Sequence, residues 1–279
     1  MTRTISRNAA LAAALAAFAV GPALAQDCKP RVPDAALTKA GTLVMSTNPT
    51  LPPMQFVNQR GELQGMRIEL GTELARRLCL KPEYVRIEFS AMIPGLQGGR
   101  WDLINTGIFF TDERAKIMQM IPYENQAISL SAALNNPLAI KTPDDLAGKT
   151  VGVEIGGFEE RKIKELDADL RKKGLAAMTI RTFDNFATAY QALRAGQVQA
   201  VVSIDSVAKE YQDRGDFARV LSGLYPTPVA LAMKSPQLAG EVAKALNEMK
   251  QDGYYDKLFA RYGLAPFPTG EFAIRGPAQ

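Results

Sequence analysis

Histidine is absent from all 279 residues, and cysteine occurs only at Cys28 and Cys79. Without histidine there is no Ser-His-Asp triad, no Cys-His nucleophile and no His-ligated metal. Two thiolates alone neither close a zinc site nor hold an iron–sulfur cluster. No metal, cofactor or catalytic residue is therefore expected, and any proton chemistry would fall to Asp, Glu, Lys or Tyr. Beyond residue 25 no run approaches 18 apolar residues, so the mature chain offers no membrane-spanning helix. A contiguous basic stripe is missing too. Lysine and arginine alternate with acids, as in Arg161-Lys162-Ile163-Lys164-Glu165, and no nucleic-acid partner is expected despite a pI near 9.0.

The start of the chain has an export pattern. Arg3 and Arg7 precede the Ala/Leu-rich run Ala9 to Val20, Gly21-Pro22 breaks it, and Ala23-Leu24-Ala25 offers a small-x-small cleavage site. This is the layout of a secretory signal peptide, cut after Ala25, and it points to the periplasm. Residues 1–25 carry two arginines and no acid, so their removal lowers the formal charge from +4 to +2. In an oxidising compartment Cys28 and Cys79 are expected to pair. The bridge would close a loop of about 50 residues, contributing roughly 4 kcal/mol on the chain-entropy model.

The remainder alternates strand and helix in two blocks. Strands are expected over 42–46, 84–87 and 103–106, with helices over 68–78 and 91–97. Leu70, Leu74 and Leu78 share one helical face, and Gly98-Gly99 stops the second helix. A second block places strands at 151–153, 178–183 and 200–202. Its helices run from Gly157 to Lys173, over 186–195, and onward from Ser206. A strand at 229–233 and helices over 236–252 and 254–262 complete the pattern, and the Pro/Gly-containing tail after Pro266 reads as frayed. Such βαβαβ blocks form parallel sheets, and about two domains suit the length. Ligands in such sheets lie beyond the carboxyl ends of the strands. That directs attention to 47–54, 88–90, 105–114, 156–160 and 203–206.

Those segments carry a family likeness. "TNPTLPPMQFVNQRGELQGMRIEL", "EFSAMIPGLQGGRWDLINTGIFFTDER", "LAGKTVGVEIGGFEE", "LRAGQVQAVVSIDSVA" and "LNEMKQDGYYDKLFARYGL" occur in that order. Together they resemble the periplasmic amino-acid-binding proteins of ABC importers, extracellular solute-binding family 3. The resemblance implies an α/β fold of two Rossmann-like lobes joined by a two-strand hinge, the type II periplasmic binding fold. Residues 26–124 and 229–279 would form lobe 1, 129–224 lobe 2, and 125–128 with 225–228 the hinge. It also implies a monomer that closes on a small-molecule solute, an amino acid or derivative, and delivers it to importer membrane subunits.

Site residues follow from the same match. Arg114, in T-D-E-R, takes the place of the arginine that grips the ligand carboxylate; a guanidinium forks onto a carboxylate in two bonds. Thr106, Gly107 and Gly157 add donors around that anion. Asp205 takes the place of the acid that binds the ligand ammonium, though one extra residue precedes it, and it also reads as a helix N-cap. Phe89 matches an aromatic platform for the ligand. Asn48 stands where an aspartate is frequent, which disfavours a cationic ligand. Leu51 and Met54 replace aromatics on an apolar wall. Phe109 and Phe158 stand where the family has hydroxyls, and each is open to two orientations, into the cleft or into the core. Trp101, Tyr254 and Tyr255 read as packing residues. An alternative is a secreted arogenate or prephenate dehydratase-like enzyme, with Glu160 of "GGFEE" as its acid. Another is a ligand sensor for a membrane receptor.

Overall fold

A computed structural model describes residues 28–277. The export segment and its cleavage site lie outside the described residues. Strand β1 (Thr42–Thr47) is followed by a small antiparallel sheet of β2 (Thr50–Leu51), β3 (Gln55–Val57) and β4 (Leu63–Gln64). Helix α1 (Met66–Arg77), β5 (Lys81–Arg86), α2 (Phe89–Gln97) and β6 (Leu103–Ile104) complete the first block. After the short α3 (Asp112–Ala115) comes the long β7 (Gln119–Ala132). The second block comprises β8 (Thr150–Glu154), α4 (Phe158–Lys172), β9 (Thr179–Phe183), α5 (Phe186–Arg194), β10 (Ala200–Ile204) and α6 (Asp205–Asp213). The long β11 (Ala218–Met233), α7 (Pro236–Gln251) and α8 (Tyr254–Arg261) follow.

Eight strands form one sheet in the order β5-β1-β6-β11-β7-β10-β8-β9. β1 runs parallel to β5 and β6, and β8 runs parallel to β9 and β10. Each block thus has its first strand in the middle, with the next two on either side. The reversal of winding beside that first strand opens a crevice at the carboxyl ends. Between the blocks lie β7 and β11, antiparallel to each other and each antiparallel to the block strand beside it. Their ladder slips register at several points between Arg219 and Ala230.

The helices form where the apolar spacing places them. In α1, Leu70 and Leu74 are fully buried, with Leu78 capping the end. In α4, Ile163, Leu166 and Leu170 face the sheet, while Glu159 and Glu160 open the first turn and Arg171 and Lys172 close the last, matching the helix dipole. Cys28 and Cys79 form a disulfide across 51 residues of sequence, with Cα atoms 5.5 Å apart, fastening the start of the described chain beside the end of α1.

Several expectations need correction. β5 begins at Lys81 rather than residue 84, because its register with β1 extends back to Thr42↔Lys81. β6 is only two residues long, since the chain turns away toward the crevice after Ile104. The tail is not frayed over its described part. Arg275 and Met120 exchange backbone hydrogen bonds at 2.7 and 2.8 Å, and Phe272 is buried against Tyr255. Trp101 is core, donating Nε1–H to the Met92 carbonyl at 3.1 Å, and Tyr255 is buried with its hydroxyl on the Tyr123 carbonyl.

Candidate functional site

Both carboxyl-end crevices open onto one another. The first block contributes Leu51 after β1, Phe89 after β5, and Thr106, Gly107 and Phe109 after β6; Arg114 comes from α3. The second contributes Glu154 at the end of β8, Phe158 and Glu159 in the first turn of α4, and Ile204 at the end of β10. These residues enclose a cavity of about 10 Å³. That is about the space one water needs, roughly 10–15 Å³, so the two blocks are shut against each other. A vestibule of about 670 Å³ adjoins it, sharing Arg114 and Phe158 and adding Gly157, Arg161 and Lys164.

Arg114 is positioned by its own turn. Thr111 caps α3 and accepts from the Arg114 N–H at 3.2 Å, which fixes the backbone from which the side chain starts. The half-buried guanidinium donates to the Phe109 carbonyl at 2.8 Å and to the Gly156 carbonyl at 3.4 Å, and lies 5.3 Å from the Phe89 ring centre. Burial lowers its pKa to about 10, well short of discharging it at neutral pH. A guanidinium carries five N–H donors, so capacity remains for a carboxylate. Beside it the rings of Phe109 and Phe158 pack 4.7 Å apart at 31°. Both phenylalanines therefore line the cavity while packing on each other, which joins the two orientations the sequence left open.

Two carboxylates form the opposite wall. Glu154 is 4% exposed and accepts from Asn48 Nδ2 at 3.0 Å. Burial, reinforced by the charges of Glu159 and Glu88, pushes its carboxyl well above the usual range. Glu159 is 2% exposed, and burial pushes it up to about 7 against the opposing pull of its own backbone N–H and Arg114. Asn48 thus holds a carboxyl group, that of Glu154, beside its own position rather than carrying one itself.

The other expected residues fall in different places. Thr106 is buried, its hydroxyl accepting from Gln55 Nε2 at 2.7 Å, which leaves its own O–H to donate. Met54 is fully buried but does not line the cavity, and Gly157 lines the vestibule. Asp205 is not brought to the cavity. It accepts from the Ser129 hydroxyl and lies 3.3 Å from Arg219, beside a separate hollow with Gln126 and Lys209. It begins α6 rather than capping it; Ile204 is the cap residue. Read without an insertion, the G-x-x-D-A-x-x-x-D pattern starting at Gly196 ends on Ile204, and Ile204 is what the cavity contains. Glu160 also points away, accepting from the Gly156 N–H at 2.6 Å and from Lys164. The residues sequence reasoning missed are Glu154, Glu159 and Ile204. The signal was the strand-end position of each on β8 or β10, or one turn beyond it.

A wider cavity, about 830 Å³, lies elsewhere, between α1, α8 and the small sheet. It draws on the first block and the C-terminal helix only, with no wall from the second block among its lining residues, so the smaller cavity is the functional candidate.

Comparison with known proteins agrees with this geometry. Residues 43–265 match the model of the bacterial extracellular solute-binding proteins, family 3. The L-cystine-binding protein TcyJ of Escherichia coli (strain K12) is 29% identical over 232 residues, covering 80% of this chain and 82% of that protein. The lysine/arginine/ornithine-binding periplasmic protein of the same organism is 30% identical over 236 residues, covering 79% and 87%. Among solved structures, the ancestral amino acid-binding protein AncCDT-1, a precursor of cyclohexadienyl dehydratase, superposes with a TM-score of 0.72 at 31% identity, covering 80% of this chain and 95% of that one.

Proposed function

Because the chain belongs to the bacterial extracellular solute-binding proteins, family 3, we propose that it captures an amino acid or amino-acid-like carboxylate in the periplasm and passes it to the membrane subunits of an ABC importer. The observation that carries this reading is Arg114. Its guanidinium keeps donors in reserve at a wall shared by both blocks, above the Phe89 ring. The relatives named above are binding proteins, and this chain is read as one too, acting as a monomer after cleavage behind Ala25. Glu160, the residue on which a dehydratase-like reading rested, is engaged by Gly156 and Lys164 outside the cavity.

Phe89, Phe109 and Phe158 suit a ligand with an apolar, aromatic or N-substituted body. A cavity of about 10 Å³ admits no amino acid, so the lobes must part for entry. Lobe 1 (26–124 and 229–279) and lobe 2 (129–224) would swing about residues 125–128 and 225–228, where β7 and β11 alone carry the sheet from one to the other. Among the described residues three hydrogen bonds cross the gap: Asn48 to Glu154 at 3.0 Å, Arg114 to Gly156 at 3.4 Å, and Asn185 to Glu88 at 3.1 Å.

The test is calorimetric titration of wild type and Arg114→Ala with ligands found by a thermal-shift screen of amino acids, betaines, opines and aromatic acids. Loss of the charged partner is expected to weaken binding by about 2–5 kcal/mol, roughly 30- to several-thousand-fold, with the melting curve retained. Equal affinity in the variant would remove the carboxylate assignment. Small-angle scattering should show a smaller radius of gyration with ligand than without; an unchanged radius at saturation would remove hinge closure.

A further inference from the structure

The ammonium of an ordinary amino acid has no partner at the position where the sequence pattern would supply one. Ile204 occupies it, and Asp205 is turned toward Ser129 and Arg219. Carboxyl groups face the cavity from another quarter. Glu154 ends β8, Glu159 sits in the first turn of α4, and the Gly156-Gly157 turn between them sets both on one wall. The fit at this turn is close. A Cβ on Gly157 would stand 2.6 Å from Glu159 Oε2 and 3.5 Å from the Glu154 carbonyl oxygen.

Neither carboxylate is saturated. Among the described residues Glu154 has one donor, Asn48, and Glu159 receives only its own backbone N–H. Arg114 lines the same cavity, yet no ion pair joins it to either glutamate; its bonds go to the Phe109 and Gly156 carbonyls. A guanidinium and two carboxyl groups thus face one small space from two lobes with no ion pair between them. A buried carboxylate that serves only packing is normally surrounded by donors.

We propose that Glu154 and Glu159 receive the cationic group of the ligand while its carboxylate lies on Arg114, so that the solute is a carboxylate bearing an ammonium or guanidinium group and these two glutamates select for it. The proposal rests on the reading of Arg114 given above. It divides the work between the two carboxyls. Glu154, crowded by Glu88 and Glu159, has its carboxyl pushed well above the usual range, which favours a hydrogen-bonding role. Glu159, raised only to about 7, gives its proton to solvent when a cation arrives and becomes the counter-ion.

The test uses pairs of carboxylates of which only one member carries a cation: L-phenylalanine and 3-phenylpropanoate, 4-guanidinobutanoate and 4-ureidobutanoate, glycine betaine and 3,3-dimethylbutanoate. Each is titrated into the mature chain and into Glu159→Gln, Glu154→Gln and Arg114→Ala. In the pair that fits the cavity, the more cationic member should bind at least 30-fold tighter. Glu159→Gln should cut that ratio below about 3-fold by weakening the cationic member alone, and Glu154→Gln should reduce it less. The wild-type ratio needs no variant, so misfolding of one glutamine variant does not obscure the answer. Members without the cation binding as tightly as their partners would overturn the proposal, as would a ratio unchanged in both glutamine variants. If carboxylates without a cation bind equally well and Arg114→Ala abolishes them, the carboxylate reading stands and the cation site falls. If no member of any pair binds, both fall.

Discussion

Two sets of buried ionisable side chains, one between α1 and β7 and one shared by the two blocks, are built on opposite plans. Arg67 of α1 and Glu124 of β7 form a fully saturated pair. Arg67 Nε and Nη2 reach both carboxylate oxygens at 3.0–3.1 Å, Nη1 donates to Gln55 at 2.9 Å, and Gln126 adds a donor to Glu124. Both charged side chains are essentially unexposed. The Arg114, Glu154 and Glu159 set has the same chemistry but almost none of these internal bonds. A saturated pair leaves nothing for a guest, whereas an unsaturated set defines one. The two are connected, because Gln55 bonds both Arg67 and the Thr106 hydroxyl at the cavity wall. The closed network therefore holds the floor on which the open one works.

The sharpest way to break the comparison is to unbalance the saturated pair. Arg67→Ala leaves Glu124 buried without its counter-charge and should cost about 3–5 kcal/mol in urea unfolding. Arg114→Ala should leave the unfolding midpoint nearly unchanged. If both variants unfold alike, the distinction between a structural and a receiving set of charges is lost.

A smaller effect sharpens the contrast through pH. A Glu159 pKa near 7 lies above the ordinary carboxylate value of about 4.3, so the folded protein retains a proton that the unfolded chain releases. Ligand-free stability should therefore fall as pH rises from about 4.5 to 7, by at most about 3 kcal/mol. Glu159→Gln should match wild type at pH 4.5 and exceed it at pH 8. Some slope should persist in the variant, since Glu154 is also raised, with Glu88 and Arg114 the other charges facing the site. Melting curves across that pH range measure this, and an identical slope in both proteins would exonerate Glu159.

Much of this was legible in the sequence. The two βαβαβ blocks, the disulfide and the placement of Leu51, Phe89, Thr106, Phe109, Arg114 and Phe158 around one cavity follow from strand-end positions and quoted motifs. Asp205 shows where such reasoning slips: one residue of register exchanges a carboxylate for Ile204, because the last residue of a strand and the first of a helix point in different directions. Glu160 and Glu159 differ in the same way, about 100° apart on one helical turn. The tail resisted because composition reports prolines and glycines, while a backbone bridge such as Met120↔Arg275 depends on what lies alongside. The Arg67–Glu124 pair joins residues far apart in sequence, and no local pattern announces such a partner.

The placement of β11 has a consequence for how the chain comes to be folded. β6 near residue 104 waits for its neighbour until residues 232–233 arrive, and β7 pairs along nearly its whole length with the same late segment. Until then the middle of the sheet is two open edges, and an emerging chain truncated before residue 218 would expose them. Contacts of such long range also slow folding. The strand that completes the β5-β1-β6 side of the sheet is therefore among the last parts of the chain to be made.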